Sequence, residues 1–135
     1  MSTTPPIPYI APWLSVADAQ QAVAFYAAAF GASEVYRLEG DGGRIEVAQL
    51  SIGGALFWVQ HDPDATREPH ADGPKPAATP VRLILSVDDP DQVFAQSIAA
   101  GATSVAAVHE EYGWRTGRIT DPFGHDWELS KQLTS

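Results

Sequence analysis

Four predicted strands carry tryptophans and ionisable residues opposite their apolar side chains. Successive side chains of a strand point to opposite faces, which places Arg82 and Glu128 opposite the leucines of VRLILSV and DWELSK. Trp13 shares such a face with Ser15, and Trp58 with Gln60. A sheet face with a few polar groups among aromatics is typical of a small-molecule pocket. Alternatively the face is solvated or buried in a dimer, although two solvated tryptophans on one surface would be unusual.

A further aromatic candidate is Trp114, in the segment Tyr112-Gly113-Trp114. An aromatic side chain beside a glycine hinge can close over a ligand at the mouth of a cleft. The same residues also fit a hairpin turn with a buried tryptophan, and the sequence favours neither interpretation.

Nucleophilic catalysis has no support in this sequence. The chain has no Cys, and no Ser stands in a Gly-x-Ser-x-Gly setting. Acid–base chemistry would need Glu46 to lie beside Glu128, with one of the two pKa values raised. No spacing brings together the four histidines, which are His61, His70, His109 and His125.

Composition predicts one soluble domain spanning residues 1–135. A hydrophobic fraction of 44% can build a core, and no segment predicts a membrane span or a signal peptide. The net charge of −9 predicts no nucleic-acid binding, because such a field repels phosphates. It would attract a cationic small molecule, or simply keep the protein soluble. With no Cys, a cytoplasmic location is expected.

The chain contains an internal repeat, which sets its organisation. Leu14, Val16 and Asp18 recur at one constant offset as Leu85, Val87 and Asp89. We therefore expect a first repeat at about 7–61, a Pro-rich linker at 62–80 and a second repeat at 81–132. Each repeat is predicted to contain a strand, a helix and three further strands.

Capping residues and alternation predict the element bounds. A helix over 19–30 is capped by Asp18 and ended by Gly31, and a helix over 90–100 begins after Asp89 and ends before Gly101. Alternation and glycine-rich turns predict eight strands. They cover about 7–16, 33–38, 45–51, 55–60, 81–87, 104–108, 115–120 and 126–131.

Two motifs resemble the vicinal-oxygen-chelate superfamily, which includes glyoxalase I, ring-cleaving dioxygenases and bleomycin-resistance proteins. They are VAD…AFY…FGA at 16–32 and GRITDPFGHDWEL at 117–129. The resemblance spans about 7–132. Within the superfamily, the sequence looks most like a bacterial glyoxalase-like branch named after a phosphonate-operon protein. It implies an α+β fold in which two βαβββ modules form a U-shaped, mainly antiparallel sheet around a cleft.

Family enzymes hold a divalent metal with one ligand from each of four strands. The matching positions here are Ala11, Trp58, Arg82 and Glu128. One carboxylate among four positions cannot hold a zinc ion, which needs three or four donors. We therefore expect no metal and no cofactor. Arg82 and Glu128 are expected to pair at the former metal position, as ligand anchors or as a buried ion pair.

The resemblance favours a metal-independent, bleomycin-resistance-type binding protein. It would hold a cationic or aromatic antibiotic in a homodimer, with the arm at 4–8 reaching a partner. The alternative is a glyoxalase-like lyase or isomerase, or a dioxygenase, acting on a small oxygenated substrate, with Glu128 as general base. A weaker possibility is a regulatory dimer with a vestigial cleft. The predicted ligand-binding residues are Trp13, Trp58, Gln60, Arg82, Trp114 and Glu128.

Overall fold

The computed structural model describes residues 7–65 and 81–133. They form two helices and eight strands, which confirms the predicted α+β fold of two strand–helix–three-strand repeats. Most of the predicted linker, with His70, and residues 1–6, which include part of the predicted arm at 4–8, lie outside the described residues. The first repeat comprises β1 Trp13–Val16, α1 Ala19–Phe30, β2 Ser33–Glu39, β3 Ile45–Ile52 and β4 Ala55–His61. The second comprises β5 Leu83–Ser86, α2 Pro90–Ala99, β6 Thr103–Glu111, β7 Trp114–Thr120 and β8 Asp126–Gln132.

Each repeat forms its own four-stranded sheet, and the two sheets have the same topology. The strand orders are β1-β4-β3-β2 in the first sheet and β5-β8-β7-β6 in the second. The pairs β1–β4 and β5–β8 are parallel, and the other pairs are antiparallel. The expected mainly antiparallel arrangement is therefore present, divided by hydrogen bonding into two sheets.

The helices begin where their capping residues predict. Asp18 accepts a hydrogen bond from the Gln21 N–H at 3.1 Å, and Gly31 ends α1 with a φ of 71°. His61 also caps α1, because its Nδ1 accepts from the Ala19 N–H at 3.1 Å. Helix α2 ends one residue earlier than expected. Within 7–65 and 81–133, neither helix is long and apolar enough to cross a membrane.

The largest difference from the predicted bounds lies in β1. The strand was expected over 7–16, but it spans only Trp13–Val16. The preceding residues include Pro8 and Pro12, and proline cannot donate a ladder hydrogen bond. Pro12 still takes part through its carbonyl, which accepts from the Trp58 N–H at 2.9 Å.

A single aromatic core joins the two repeats. Tyr26 of α1 packs against Phe57 of the first sheet at 5.2 Å and Trp127 of the second at 5.8 Å, between ring centroids. Phe57 and Trp127 also contact each other at 5.6 Å. Both sheets therefore turn their apolar faces toward this core, and by strand alternation their other faces point away from it. We call these other faces the outer faces.

A buried carboxylate links the two repeats within this core by hydrogen bonds. Asp121, which is 4% exposed, lies in the DPFG turn before β8. Its Oδ2 accepts from the Tyr26 hydroxyl at 2.5 Å and the Trp127 indole N–H at 2.9 Å. Its Oδ1 accepts from the backbone N–H groups of Phe123 and His125 at 2.9 and 3.0 Å. Asp121 therefore links a helix of the first repeat to a turn and a strand of the second.

Candidate functional site

The outer face of the second sheet contains a pocket of about 430 Å³. All four strands of the second repeat contribute to it, so it is lined by one repeat alone. The lining includes the ionisable residues Arg82, His109, Glu111, Arg118 and Glu128. Of the six predicted ligand-binding residues, three line this pocket, namely Arg82, Trp114 and Glu128.

Arg82 and Glu128 form the predicted ion pair. Arg82 Nε lies 3.1 Å from Glu128 Oε1, because β5 and β8 are adjacent and parallel. The two side chains are 42% and 18% exposed, so the pair is partly solvated rather than buried. Solvent therefore screens the attraction and can hydrate each group if its partner is removed.

Because the Arg82–Glu128 pair is partly solvated, we predict that Glu128→Gln has only a small effect on stability. We expect the free energy of unfolding to change by about 1 kcal/mol or less, the value typical of solvated pairs. Urea denaturation of the wild type and of Glu128→Gln would measure the change, with Arg82→Gln as the matched variant. A loss of about 3 kcal/mol or more would mean that Arg82 is effectively buried when it loses Glu128.

The residues at the family's metal positions do not fit a divalent metal. Ala11 and Trp58 offer no ligand atom, and Arg82 brings a positive charge to the carboxylate of Glu128. Over 7–65 and 81–133, no group of three or more His, Cys, Asp or Glu side chains is placed to hold a metal ion. These four residues therefore do not provide a site for metal-dependent chemistry.

Strand β7 supplies two pocket residues that the sequence analysis did not select, Thr116 and Arg118. A Cβ added to Gly117 would meet Phe94 of α2 at 3.2 Å, so the neighbours of Gly117 in the strand point the other way, into the pocket. Thr116 is only 8% exposed. Among the described residues, neither Thr116 Oγ1 nor Arg118 Nε has a hydrogen-bonding partner, although both atoms are buried. The alternation of side chains between the two faces of the strand segment WRTGRIT could have identified both residues from the sequence.

At the pocket rim, His109 pairs with Glu111 through Nε2 and Oε2 at 2.6 Å. The hydrogen bond to the Ala107 carbonyl raises the pKa of His109, and the hydrogen bond to Glu111 raises it further. His109 therefore keeps its positive charge to a higher pH than an ordinary histidine. Because both side chains are exposed, the raised pKa of His109 affects the charge of the pocket rim more than the stability of the fold.

The segment Tyr112-Gly113 forms the hairpin between β6 and β7. Both residues have positive φ, 52° and 81°, which suits a tight turn between antiparallel strands. Trp114 follows at the start of β7, half-exposed, and lines the pocket beside Tyr112. Its side chain is therefore not buried in the turn. Closure over a ligand stays a prediction.

The outer face of the first sheet contains an aromatic cluster, defined here as the aromatic face, of Trp13, Tyr36 and Trp58. Trp13 and Trp58 are stacked at 5.8 Å, and Tyr36 contacts Trp58 edge-on at 6.1 Å. The Trp13 indole N–H donates to Gln60 Oε1 at 2.9 Å. Although it is stacked, Trp13 is 52% exposed.

The six predicted ligand-binding residues therefore form two groups of three. Trp13, Trp58 and Gln60 lie together on the first sheet, and the other three line the pocket on the second sheet. Both groups are on outer faces, which point away from the core that the two repeats share. Within one chain, the aromatic face and the pocket are therefore separate surfaces.

A family model described as a glyoxalase-like domain matches residues 13–130. An uncharacterized protein of Mycobacterium bovis is 38% identical to this chain, over 93% of the chain and 84% of that protein. Among solved structures, TioX from Micromonospora sp. ML1 superposes with a TM-score of 0.71 at 29% identity, covering 93% of this chain and 99% of that one.

A glyoxalase/bleomycin resistance protein/dioxygenase family enzyme from Burkholderia phytofirmans PsJN superposes with a TM-score of 0.67. Its identity is 20%, over 90% of this chain and 95% of that one, which shows the fold alone. The family-model match over 13–130 confirms the resemblance to the vicinal-oxygen-chelate superfamily, and the shared fold agrees with it. The finer assignment to the phosphonate-operon branch stays a prediction.

Proposed function

The chain belongs to the family of glyoxalase-like domains, and we propose that it is a metal-independent binding protein for an aromatic small molecule, of the bleomycin-resistance type. The pocket carries this proposal. Its volume of about 430 Å³ suits a small organic ligand. Its lining combines Trp114 and Ile84 with a few charged groups, while the residues at the family's metal positions cannot coordinate an ion.

The local charges favour selection by aromatic contact over selection for positive charge. The acidic net charge of the whole chain attracts cations at long range. In the pocket, however, Glu128 is engaged by Arg82, and Glu111 by His109. A cationic ligand would have to displace these partners and approach Arg118. An antibiotic that is aromatic therefore fits this pocket better than one that is only cationic.

We further propose that a homodimer brings the aromatic face of one chain over the pocket of its partner. The two surfaces occupy corresponding outer faces of the two repeats, so a twofold exchange can pair each with the other. Half-exposed Trp13, Tyr36 and Ile84 lie on these faces, and monomers seldom expose such apolar clusters. The ligand would then lie between tryptophans and charged groups.

Light scattering at micromolar concentration tests the dimer. We expect a mass of twice the 14.4 kDa of one chain. A substitution of Trp13 by glutamate should lower that mass toward one chain, because it places a charge in the contact. A wild-type monomer would contradict the proposed pairing, and binding would then have to use each surface separately.

Trp58→Leu is expected to weaken binding of a neutral polycyclic aromatic amide at least about tenfold, the loss typical of removing a central aromatic contact. Isothermal titration calorimetry with 2-naphthamide would measure it. Ile98→Ala on the exposed part of α2 is the control, because Ile98 belongs to neither surface. Equal affinities for the wild type and Trp58→Leu would remove the aromatic face from the site.

The enzyme alternative depends on Glu128 acting as a general base. Its Oε1 lies 3.1 Å from Arg82 Nε, so a substrate proton would have to compete with the guanidinium. A lyase, isomerase or dioxygenase would therefore gain activity when Arg82→Gln releases the carboxylate. Turnover of small oxygenated substrates by wild-type protein, abolished by Glu128→Gln, would favour the enzyme over the binding protein.

A further inference from the structure

Thr116 and Arg118 leave two buried polar atoms at the pocket without a partner. Thr116 Oγ1 and Arg118 Nε are both inaccessible to solvent, and no described residue hydrogen-bonds to either. A buried polar group without a partner is costly, so native proteins rarely keep one without a reason. Both residues line the pocket, and they are two positions apart on the same face of β7. Arg118 is only partly buried, so a ligand in the pocket can contact it directly, and rotation of the Thr116 and Arg118 side chains would bring these two atoms to the ligand.

Arg118 is also the pocket cation without an acidic partner among the described residues. Its cross-strand neighbour is Glu128, but Glu128 forms its ion pair with Arg82, and Glu111 forms its pair with His109. Every carboxylate that lines the pocket therefore has a basic partner, while Arg118 has none within ion-pair distance. No carboxylate of the pocket is therefore left to pair with Arg118.

The chemistry of these atoms defines the missing group. The guanidinium of Arg118 can only donate hydrogen bonds, and the Thr116 hydroxyl can donate as well. An acceptor that satisfies both must offer at least two lone pairs, and it is held most strongly if it is negatively charged. Carboxylates and phosphoryl groups meet this requirement, and ammonium groups do not.

We propose that Thr116 and Arg118 form an oxyanion subsite, which holds the carboxylate or phosphoryl group of the aromatic ligand. The inference rests on the proposed binding function and adds the charge of the ligand. The aromatic part of such a ligand lies beside Trp114, and its anionic group faces β7.

Three naphthalene ligands of similar shape test the charge preference by calorimetry: 2-naphthoate, the neutral 2-naphthamide and the cationic 2-naphthylmethylamine. We expect 2-naphthoate to bind about 10- to 100-fold more tightly than 2-naphthamide, as for hydrogen bonds to charged groups. The amine should bind most weakly. A fourth ligand is 2-naphthylphosphonate. Whichever of 2-naphthylphosphonate and 2-naphthoate binds more tightly shows whether the subsite prefers a phosphoryl group or a carboxylate.

Variants of β7 locate the effect. Arg118→Gln should remove most of the preference for 2-naphthoate and leave the affinity for 2-naphthamide within about threefold. Arg118→Lys should restore only part of it, because lysine lacks the fixed fork of donors. Thr116→Val keeps the shape and should reduce the 2-naphthoate affinity about 3- to 10-fold. The matched control is Arg115→Gln, because Arg115 is on the same strand but pairs with Asp91 at 2.6 Å, away from the pocket.

A second measurement separates this subsite from the aromatic site. Inorganic phosphate at millimolar concentration should raise the Tm of the wild type by about 3 °C, and should not raise that of Arg118→Gln. If no aromatic ligand binds but this Arg118-dependent shift appears, the proposed function fails and the oxyanion subsite stands. Equal affinities for the three naphthalene ligands overturn the subsite and leave the proposed function intact. The absence of both binding and the phosphate shift overturns both.

Discussion

Asp121→Ala is expected to lower the free energy of unfolding by about 3–5 kcal/mol. The carboxylate accepts four hydrogen bonds, from the Tyr26 hydroxyl, the Trp127 indole and the N–H groups of Phe123 and His125. Alanine leaves these donors buried and unsatisfied. It also removes the bond that joins α1 to the turn before β8, so the loss reaches both repeats.

Urea denaturation would measure this loss, with Asp88→Ala as the control. The Asp88 side chain is fully exposed and pairs only loosely with Lys131 at 3.3 Å, so its removal should leave the free energy of unfolding close to that of the wild type. Asp121→Asn should be intermediate, because an amide keeps one acceptor oxygen. If Asp121→Ala lost no more stability than Asp88→Ala, the carboxylate would not be fastening the core.

The second expected result is a loss of stability above about pH 10 that depends on Tyr26. Burial, and then the charge of Asp121 and the hydrogen bond to it, raise the pKa of Tyr26 well above its ordinary value of 10.0. The unfolded chain releases this proton near pH 10, while the folded chain keeps it. The unfolded state then binds fewer protons, so stability falls with rising pH, by up to about 1.4 kcal/mol per pH unit from this one group.

Comparison with Tyr26→Phe isolates this contribution from other groups that titrate in alkali. At pH 7 the variant should be less stable by about 1–3 kcal/mol, because Asp121 loses a buried donor. Above pH 10 the stability of the variant should fall less steeply than that of the wild type, so the two curves converge. Parallel curves up to pH 12 would show that the Tyr26 hydroxyl ionises equally in both states.

Local chemistry explains why the fold could be predicted from the sequence. Asp18 and Gly31 define α1 by capping, and the recurrence of Leu14-Val16-Asp18 at Leu85-Val87-Asp89 established the repeat. Each capping signal lies next to the helix end that it defines, and the repeat is visible as one constant offset along the chain. β1 was predicted too long because the alternation of 7–16 outweighed its prolines, whose missing N–H groups stop the ladder.

The site was harder to predict from the sequence, because it depends on how the two sheets are oriented about their common core. Alternation placed Trp13 and Arg82 on outer faces, but it could not tell that these faces point away from a common core. Thr116 and Arg118 were overlooked for a related reason. A lack of hydrogen-bonding partners is a property of the folded surroundings, and it leaves no mark on the residues themselves.

The aromatic core has a consequence for synthesis of the chain on the ribosome. Helix α1 leaves the ribosome early, but Phe25 is covered by Phe123 at 6.2 Å, and Phe30 by Trp127 at 4.8 Å. Both covering residues belong to the second repeat and are translated about a hundred residues later. The first repeat cannot complete its core while the second is still being made, so folding of the first repeat waits for synthesis of the second. Nascent chains that stop before Asp121 would expose these aromatics and be prone to aggregation.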